Sequence, residues 1–207
     1  MRKNSEIEAI IFDLGGVVFG ISLTPIIKSW AKSAGVHPQK IAENFGADSH
    51  YERFETSEIT PEEYRAHVCS VLEVDLSPED FDRGWNSIYL DVLPGMESLI
   101  KELREHVRLV VLTNTNQIHA PVWRERYSEV LALFEKIFAS HEIEARKPDA
   151  EAFQIVLDYL EIVPEKTIFF DDNEKNVRGA EALGIQSFIV SSPDDVVEGL
   201  RLNGIEA

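Results

Sequence analysis

The stretch Glu8-Ala9-Ile10-Ile11-Phe12-Asp13-Leu14-Gly15-Gly16-Val17-Val18 constrains this chain most. The apolar run Ala9 to Phe12 is too short for a helix and is bounded by turn residues, so it reads as a buried strand. Asp13 falls at its carboxyl end, where open α/β sheets hold their ligands. Gly15 and Gly16 let the backbone turn tightly and present its own carbonyl and amide groups. Taken alone, the segment fits an ordinary strand followed by an Asp-Gly turn equally well. The rest of the chain decides between the two.

Helical periodicity follows. Thr24-Pro25 reads as an N-cap with proline in the first helical position, and Ile26, Ile27 and Trp30 lie along one face. Gly35 ends that helix and His37-Pro38 starts the next. Thr60-Pro61-Glu62-Glu63 is a capping box ahead of Tyr64 to Val74, and Ser77-Pro78-Glu79-Asp80 repeats the signal ahead of Phe81, Trp85, Ile88 and Tyr89. Helix starts without a strand signal predict a small all-helical subdomain over residues 22–93, closed by Leu93-Pro94-Gly95.

From Met96 the pattern alternates. Strands are predicted over Leu109 to Leu112, Lys136 to Ala139, Thr167 to Phe170 and Ser187 to Val190, separated by helices. That alternation means βαβ units and a parallel sheet. The expected fold is therefore α/β, a Rossmann-like parallel sheet flanked by helices, with the helical block inserted after the first strand. Residues 1–21 and 94–207 form the core in this reading.

With 207 residues there is enough chain for a substantial hydrophobic core. The net charge of −17 disfavours nucleic acid and anionic membranes as partners, and any anionic substrate has to be drawn in by local cations. Cys69 is the sole cysteine, so neither an intrachain disulfide nor a cysteine-built metal site is expected. The basic start Met1-Arg2-Lys3 is interrupted by Glu6 and Glu8, which does not read as a signal peptide, and a cytoplasmic location is the expectation.

Three further strands end in polar residues. Val110-Val111-Leu112 runs into Thr113-Asn114-Thr115-Asn116, Arg146-Lys147-Pro148 follows the third strand, and Ile168-Phe169-Phe170 runs into Asp171-Asp172-Asn173. Thr113 is by itself an ordinary N-cap and Lys147 an ordinary loop lysine. Two adjacent carboxylates are harder to dismiss, because they repel unless a cation or solvent compensates them. In a parallel sheet these strand ends share one crevice, which gathers Asp13, Thr113, Lys147, Asp171 and Asp172. That set suits phosphoryl transfer. Mg²⁺ takes hard oxygen ligands, which Asp13, one of the acid pair and a turn carbonyl supply. A lysine and backbone amides neutralise the non-bridging oxygens, and an aspartate can act as nucleophile.

The order Asp13-Leu14-Gly15-Gly16-Val17, Thr113, Lys147-Pro148, Asp171-Asp172 resembles the haloacid dehalogenase superfamily of phosphatases, with the helical block at the place of its type-one cap. Leu112-Thr113-Asn114-Thr115-Asn116 and Phe169-Phe170-Asp171-Asp172-Asn173 are most similar to the bacterial α-D-glucose-1-phosphatase-like subgroup. The resemblance implies Mg²⁺-dependent hydrolysis of a small phosphorylated metabolite, a sugar phosphate such as glucose 1-phosphate among the candidates, through an aspartyl phosphate on Asp13. It further implies that Gly15, Gly16, Thr113, Asn114 and Lys147 bind the phosphate. The implied metal ligands are Asp13, the carbonyl of Gly15, and Asp172 with Asp171 beside it. The resemblance implies nothing about oligomeric state.

One position departs from the pattern. Most family phosphatases carry a second aspartate two residues after the nucleophile, as general acid and base, and here that residue is Gly15. A positioned general acid is worth roughly 10²–10⁴ in rate. Either the leaving group departs with little help, or a water or one of the insertion residues His50, Glu52 and Glu55 supplies the proton. His119 and Trp123 are expected at the cavity entrance, with Trp30 and Trp85 in the core of the insertion. A 2-haloacid dehalogenase lacks the metal-binding acid pair. A receiver domain carries its pair on the first strand and has no cap. A non-catalytic regulatory protein finds support only in Gly15.

Overall fold

The computed structural model describes residues 7–206. Five parallel strands form one sheet in the order β5-β4-β1-β6-β7, where β1 is Ala9–Phe12, β4 Arg108–Thr113, β5 Lys136–Ala139, β6 Thr167–Asp171 and β7 Gln186–Ile189. Strand β1 sits between β4 and β6, pairing Phe12 with Val111 on one side and with Phe170 on the other. Later strands add outward in both directions from β1, so the sheet reverses order there. A crevice opens outside the carboxyl ends of strands at such a reversal.

The central strand is apolar throughout because both of its faces are covered. Ile10 and Phe12 join Val111, Ile168 and Phe170 in one core cluster. Helices α6 (Met96–Leu103), α7 (Ala120–Arg126), α8 (Ser128–Leu131) and α12 (Pro193–Leu202) contribute Met96, Ile100, Trp123, Val130 and Leu200 to it. Ala9 and Ile11 point the other way, into a cluster with Val110, Leu112 and Phe169. That face is covered by α10 (Ala150–Leu160) and α11 (Glu174–Glu181) through Phe153, Val156, Leu157 and Ala180. A short helix, α9 (Ser140–Ile143), follows β5.

Between β1 and α6 the chain leaves the sheet through β2 (Phe19–Ile21), passes through α1 (Leu23–Ala34), α2 (Pro38–Asn44), α3 (Ser49–Glu55), α4 (Pro61–Leu72) and α5 (Pro78–Trp85), and returns through β3 (Tyr89–Val92). These helices have a core of their own, in which Trp30, Phe54, Tyr64, Phe81 and Trp85 are buried. The cap chemistry read from the sequence is present at Gly35, His37, Thr60 and Ser77. The first helix starts slightly earlier than predicted, because Ser22 rather than Thr24 is its N-cap. Asp48 caps α3, accepting from the amides of His50 and Tyr51.

The expectation of helix without strand over residues 22–93 is corrected at the end of that block. Tyr89 does not continue α5. A single 3₁₀ turn, Asn86–Ile88, converts the chain to β3, which pairs antiparallel with β2. Each strand is very short and Gly20 interrupts the first, so neither has an apolar alternation long enough to read. Gly20 lies close against Leu90, with 3.2 Å left for a side-chain carbon.

Gly84 marks the tightest contact within the insertion. A Cβ there would overlap the indole of Trp30, which donates to the Phe81 carbonyl at 2.9 Å and stacks on Trp85. Overpacking costs about 1–3 kcal/mol, more than the ~1 kcal/mol that alanine gains over glycine inside a helix. Gly84→Ala is therefore expected to lower the melting temperature and perturb tryptophan fluorescence. An unchanged or raised melting temperature would show that α1 and α5 separate without cost.

Candidate active site

Asp13, Thr113, Asp171 and Lys147 meet at the carboxyl edge of the sheet. Asp13 directly follows β1, and its amide donates to the Phe170 carbonyl at 2.9 Å, which extends the strand by one residue. The chain then turns back sharply. The amides of Val18 and Phe19 donate to the Leu14 carbonyl, and that of Gly16 to the Phe19 carbonyl. Gly16 adopts φ +81°, and a side-chain carbon at this position would overlap the Asp172 carboxylate. Glycine is thus required on both counts. Gly15 is different. Its φ is not positive, and a Cβ would meet only the Ile21 side chain, at 3.3 Å.

Lys147 is 1% exposed, and its ammonium donates to Asp13 Oδ1 at 2.7 Å and to Asp171 Oδ2 at 2.6 Å. Burial alone would lower its pKa, but the two carboxylates outweigh burial and hold it above the ordinary lysine value. Its backbone is fixed as well. The Lys147 amide donates to Asn114 Oδ1 and its carbonyl accepts from Asn114 Nδ2, both at 2.9 Å. The Asn114 side chain therefore acts first as a clamp on the lysine's peptide.

Asp171 is fully buried and saturated. Besides Lys147 it accepts from the Asn173 amide at 2.8 Å and from Asn176 Nδ2 on both oxygens, at 3.0 and 3.1 Å. Asp172 is the exposed member of the pair. Its pKa is raised by burial and by Asp171. Asp13 is pushed up to about 7, chiefly by burial, with Asp171 and Asp172 adding to it and Lys147 opposing it. Three carboxylates share one ammonium here. This excess of hard negative oxygen, open toward Asp172 and the Gly15–Gly16 turn, is a donor set that fits Mg²⁺.

Asp13, Thr113, Lys147 and Asp172 line a cavity of about 290 Å³ together with Gly15 and Asn114. That lies just below the roughly 300–1,000 Å³ range of small-molecule sites. Helix α3 closes the cavity from the insertion with Tyr51, Glu52 and Glu55, and the 3₁₀ turn and β3 add Ile88 and Tyr89. His119 and Trp123 also line it. His119 Nδ1 is 3.0 Å from Asn86 Oδ1, and burial pushes the imidazole down to about 3, so it is neutral. Trp123 donates to Thr115 Oγ1 at 3.1 Å. His50 does not line the cavity. It stacks on His67, whose Nε2 lies 2.6 Å from Asp48.

Sequence reasoning passed over Asn176 and gave Arg146 no role. Arg146 joins α3 to the carboxyl edge of the sheet, reaching Glu55 Oε2 at 2.9 and 3.0 Å and Glu52 at 3.5 Å. A basic pair ahead of a proline was its visible signal. For Asn176, the signal was an amide one helical turn beyond the N-cap Asn173.

Removing the lysine leaves two buried carboxylates facing each other. Breaking a buried pair in this way costs about 3–5 kcal/mol, so Lys147→Met should lose stability of that order in urea unfolding. Adding Asp171→Asn to it should recover part of the loss. Equal stability of Lys147→Met and the native chain would refute the ion-pair account.

Residues 7–184 match the haloacid dehalogenase-like hydrolase family. The chain is 21% identical over 187 residues to a D-ribitol-5-phosphate phosphatase of Bacteroides thetaiotaomicron, covering 88% of this chain and 91% of that protein. It is 25% identical over 188 residues to a phosphorylated carbohydrates phosphatase of Thermotoga maritima, covering 86% and 82%. Among solved structures, a HAD family enzyme from Bacteroides thetaiotaomicron in complex with magnesium and inorganic phosphate superposes with a TM-score of 0.75 at 31% identity, covering 88% of this chain and 93% of that one. The chain belongs to the haloacid dehalogenase-like hydrolase family.

Proposed function

We propose that this chain is a Mg²⁺-dependent phosphatase that hydrolyses a small phosphorylated sugar or sugar alcohol through an aspartyl phosphate on Asp13. The observation that carries the reading is the buried Lys147 ammonium bridging Asp13 and Asp171 on the wall of a small cavity, with Asp172 free beside them. Sugar-phosphate chemistry is supported by the two carbohydrate-phosphate relatives and by the cavity's volume. Glucose 1-phosphate is the finer candidate, on the likeness of residues 112–116 and 169–173 to that subgroup.

In this reading Asp13, Asp172 and the Gly15 carbonyl hold Mg²⁺, which supplies charge compensation for the phosphoryl oxygens. Asp171, with its oxygens already taken, serves to position Lys147 rather than to bind the metal. Lys147 keeps one Asp13 oxygen fixed and meets the transferring group with positive charge. Thr113, placed by β4 on the cavity wall, offers its hydroxyl to a phosphoryl oxygen. The Asp13 carboxylate forms a bond to phosphorus as the ester oxygen leaves, and water then cleaves the acyl phosphate and restores the carboxylate. The insertion, residues 22–93, serves as the cap that selects the organic part of the substrate.

Hydrolysis of p-nitrophenyl phosphate tests the reading directly, since that leaving group departs without a proton. Turnover should require Mg²⁺, stop with EDTA and be abolished by Asp13→Asn. Metal-independent halide release from 2-haloacids would overturn it. Gly16→Ala displaces the Asp172 carboxylate and should weaken Mg²⁺ binding about 10–100-fold, as changes beside a metal ligand do. Titration calorimetry with Mg²⁺ measures this, and unchanged affinity would remove Asp172 from the ligand set.

A further inference from the structure

We propose that Glu55, on the last turn of α3, is the catalytic acid and base of this site, protonating the ester oxygen as it leaves and then deprotonating the water that attacks the phosphoryl-enzyme. The proposal rests on the phosphatase reading. An alkyl phosphate expels an alkoxide unless a proton reaches the oxygen, so some group on the cavity wall has to carry one. Gly15 has no side chain to offer.

The lysine and arginine on the wall, Lys147 and Arg146, are each engaged by carboxylates, and the other acids, the phenols and the imidazole are excluded one by one. Asp13 forms the bond to phosphorus, and Asp172 faces the metal position. His119 is neutral with Nδ1 already directed at Asn86 Oδ1. The phenols of Tyr51 and Tyr89 are pushed well above their ordinary value, first by burial. Glu52 is more than half exposed at its side chain and therefore lacks a buried acid's environment.

Glu55 remains, and its surroundings fit the task. It is 2% exposed yet lines the cavity. Arg146 takes one of its oxygens, Oε2, through two guanidinium nitrogens, and the Tyr51 phenol hydrogen-bonds the same carboxyl, so its position is fixed at the cavity wall. Its pKa is raised by burial, against the opposing pull of Arg146, Tyr51 and Lys147. Tyr64 faces it from α4, Glu52 shares its helix, and His141 stands on α9, which packs against α3. An arriving phosphate dianion adds negative charge to the same cavity and shifts Glu55 further toward its protonated form.

The proton balance closes over one cycle. As the Asp13–phosphorus bond forms and the ester bond breaks, the electron pair goes to the ester oxygen, which takes the Glu55 proton and leaves as the alcohol. Water then bonds to phosphorus, gives its proton to the Glu55 carboxylate, and the Asp13–phosphorus bond breaks. Inorganic phosphate, ionised Asp13 and protonated Glu55 result.

The test compares the full chain with Glu55→Gln, with Mg²⁺ present, on an alkyl phosphate (ribitol 5-phosphate) and on p-nitrophenyl phosphate. Glutamine still accepts from Arg146, and kcat/KM on the nitrophenyl ester reports that the site is assembled. The ratio of kcat/KM on the alkyl ester to kcat/KM on the nitrophenyl ester, which covers only the steps up to departure of the leaving group, should fall about 10²-fold or more, the worth of a positioned acid. The alkaline limb of the native kcat/KM profile on the alkyl ester should vanish in the variant. In Arg146→Gln, which removes a cation that lowers the Glu55 pKa, that limb should move to higher pH, and Arg146→Lys should move it back.

An unchanged kcat/KM ratio with loss on both esters would make Glu55 structural and overturn the proposal, and so would undiminished alkyl turnover. Failure of the native chain to hydrolyse either ester is a different result. It would remove the phosphatase reading, and the proton role with it.

Discussion

Everything at this site depends on one buried cation. Lys147 comes from a loop, Asp13 from the end of β1 and Asp171 from the end of β6, and their two ion pairs tie three distant parts of the chain together. A lysine buried to this degree is stable only with compensating charge around it. Its peptide is also gripped by Asn114 at the end of β4. The sheet order places β4, β1 and β6 side by side, so these anchors fall along one edge. The fold and the site are in this sense a single arrangement. The strands bring the acids together, and the lysine makes their proximity tolerable.

The acid pair of β6 divides its work by environment. Asp171 is buried, receives a lysine, an amide and an asparagine, and has no capacity left for a further ligand. Asp172, one residue later and beyond the end of the strand, is exposed and lies against Gly16. Glycine at position 16 is what leaves room for it. Two identical side chains in sequence thus receive opposite tasks, one structural and one open to a cation.

Much of this was legible in the sequence because it is written in local patterns. An apolar run ending in aspartate defines β1, the proline-led caps define the helices of the insertion, and Asp171-Asp172 stands out through like-charge repulsion. What was not legible depends on pairing across distance. Strands β2 and β3 are too short to show alternation, and each is a strand only because the other is present. Arg146 resembles any loop cation until α3 is placed above it. Asn114 reads as a phosphate ligand because it follows Thr113, whereas its amide is turned onto a backbone 33 residues away. His50, Glu52 and Glu55 were indistinguishable on one short segment, and helical rotation separates them by sending His50 to His67 and the two glutamates to the cavity.

The charge balance of the cavity then gives a reason for the metal that is independent of the family. The chain carries a net charge of −17, so its overall field opposes a phosphate dianion. Among the described residues lining the cavity, the lysine and arginine are Lys147 and Arg146. Both are already matched, Lys147 by Asp13 and Asp171, Arg146 by Glu55 and Glu52. Neither is a surplus cation waiting for an anion. A phosphate that entered such a site would face more carboxylate than positive charge, and its approach would be unfavourable unless a carboxylate took up a proton or a divalent ion supplied the missing charge. Under the proposed reading both occur, at opposite walls: Mg²⁺ beside Asp13 and Asp172, and the proton on Glu55. The same cavity that repels a bare phosphate therefore favours one that arrives with its metal, which couples phosphate affinity to metal occupancy.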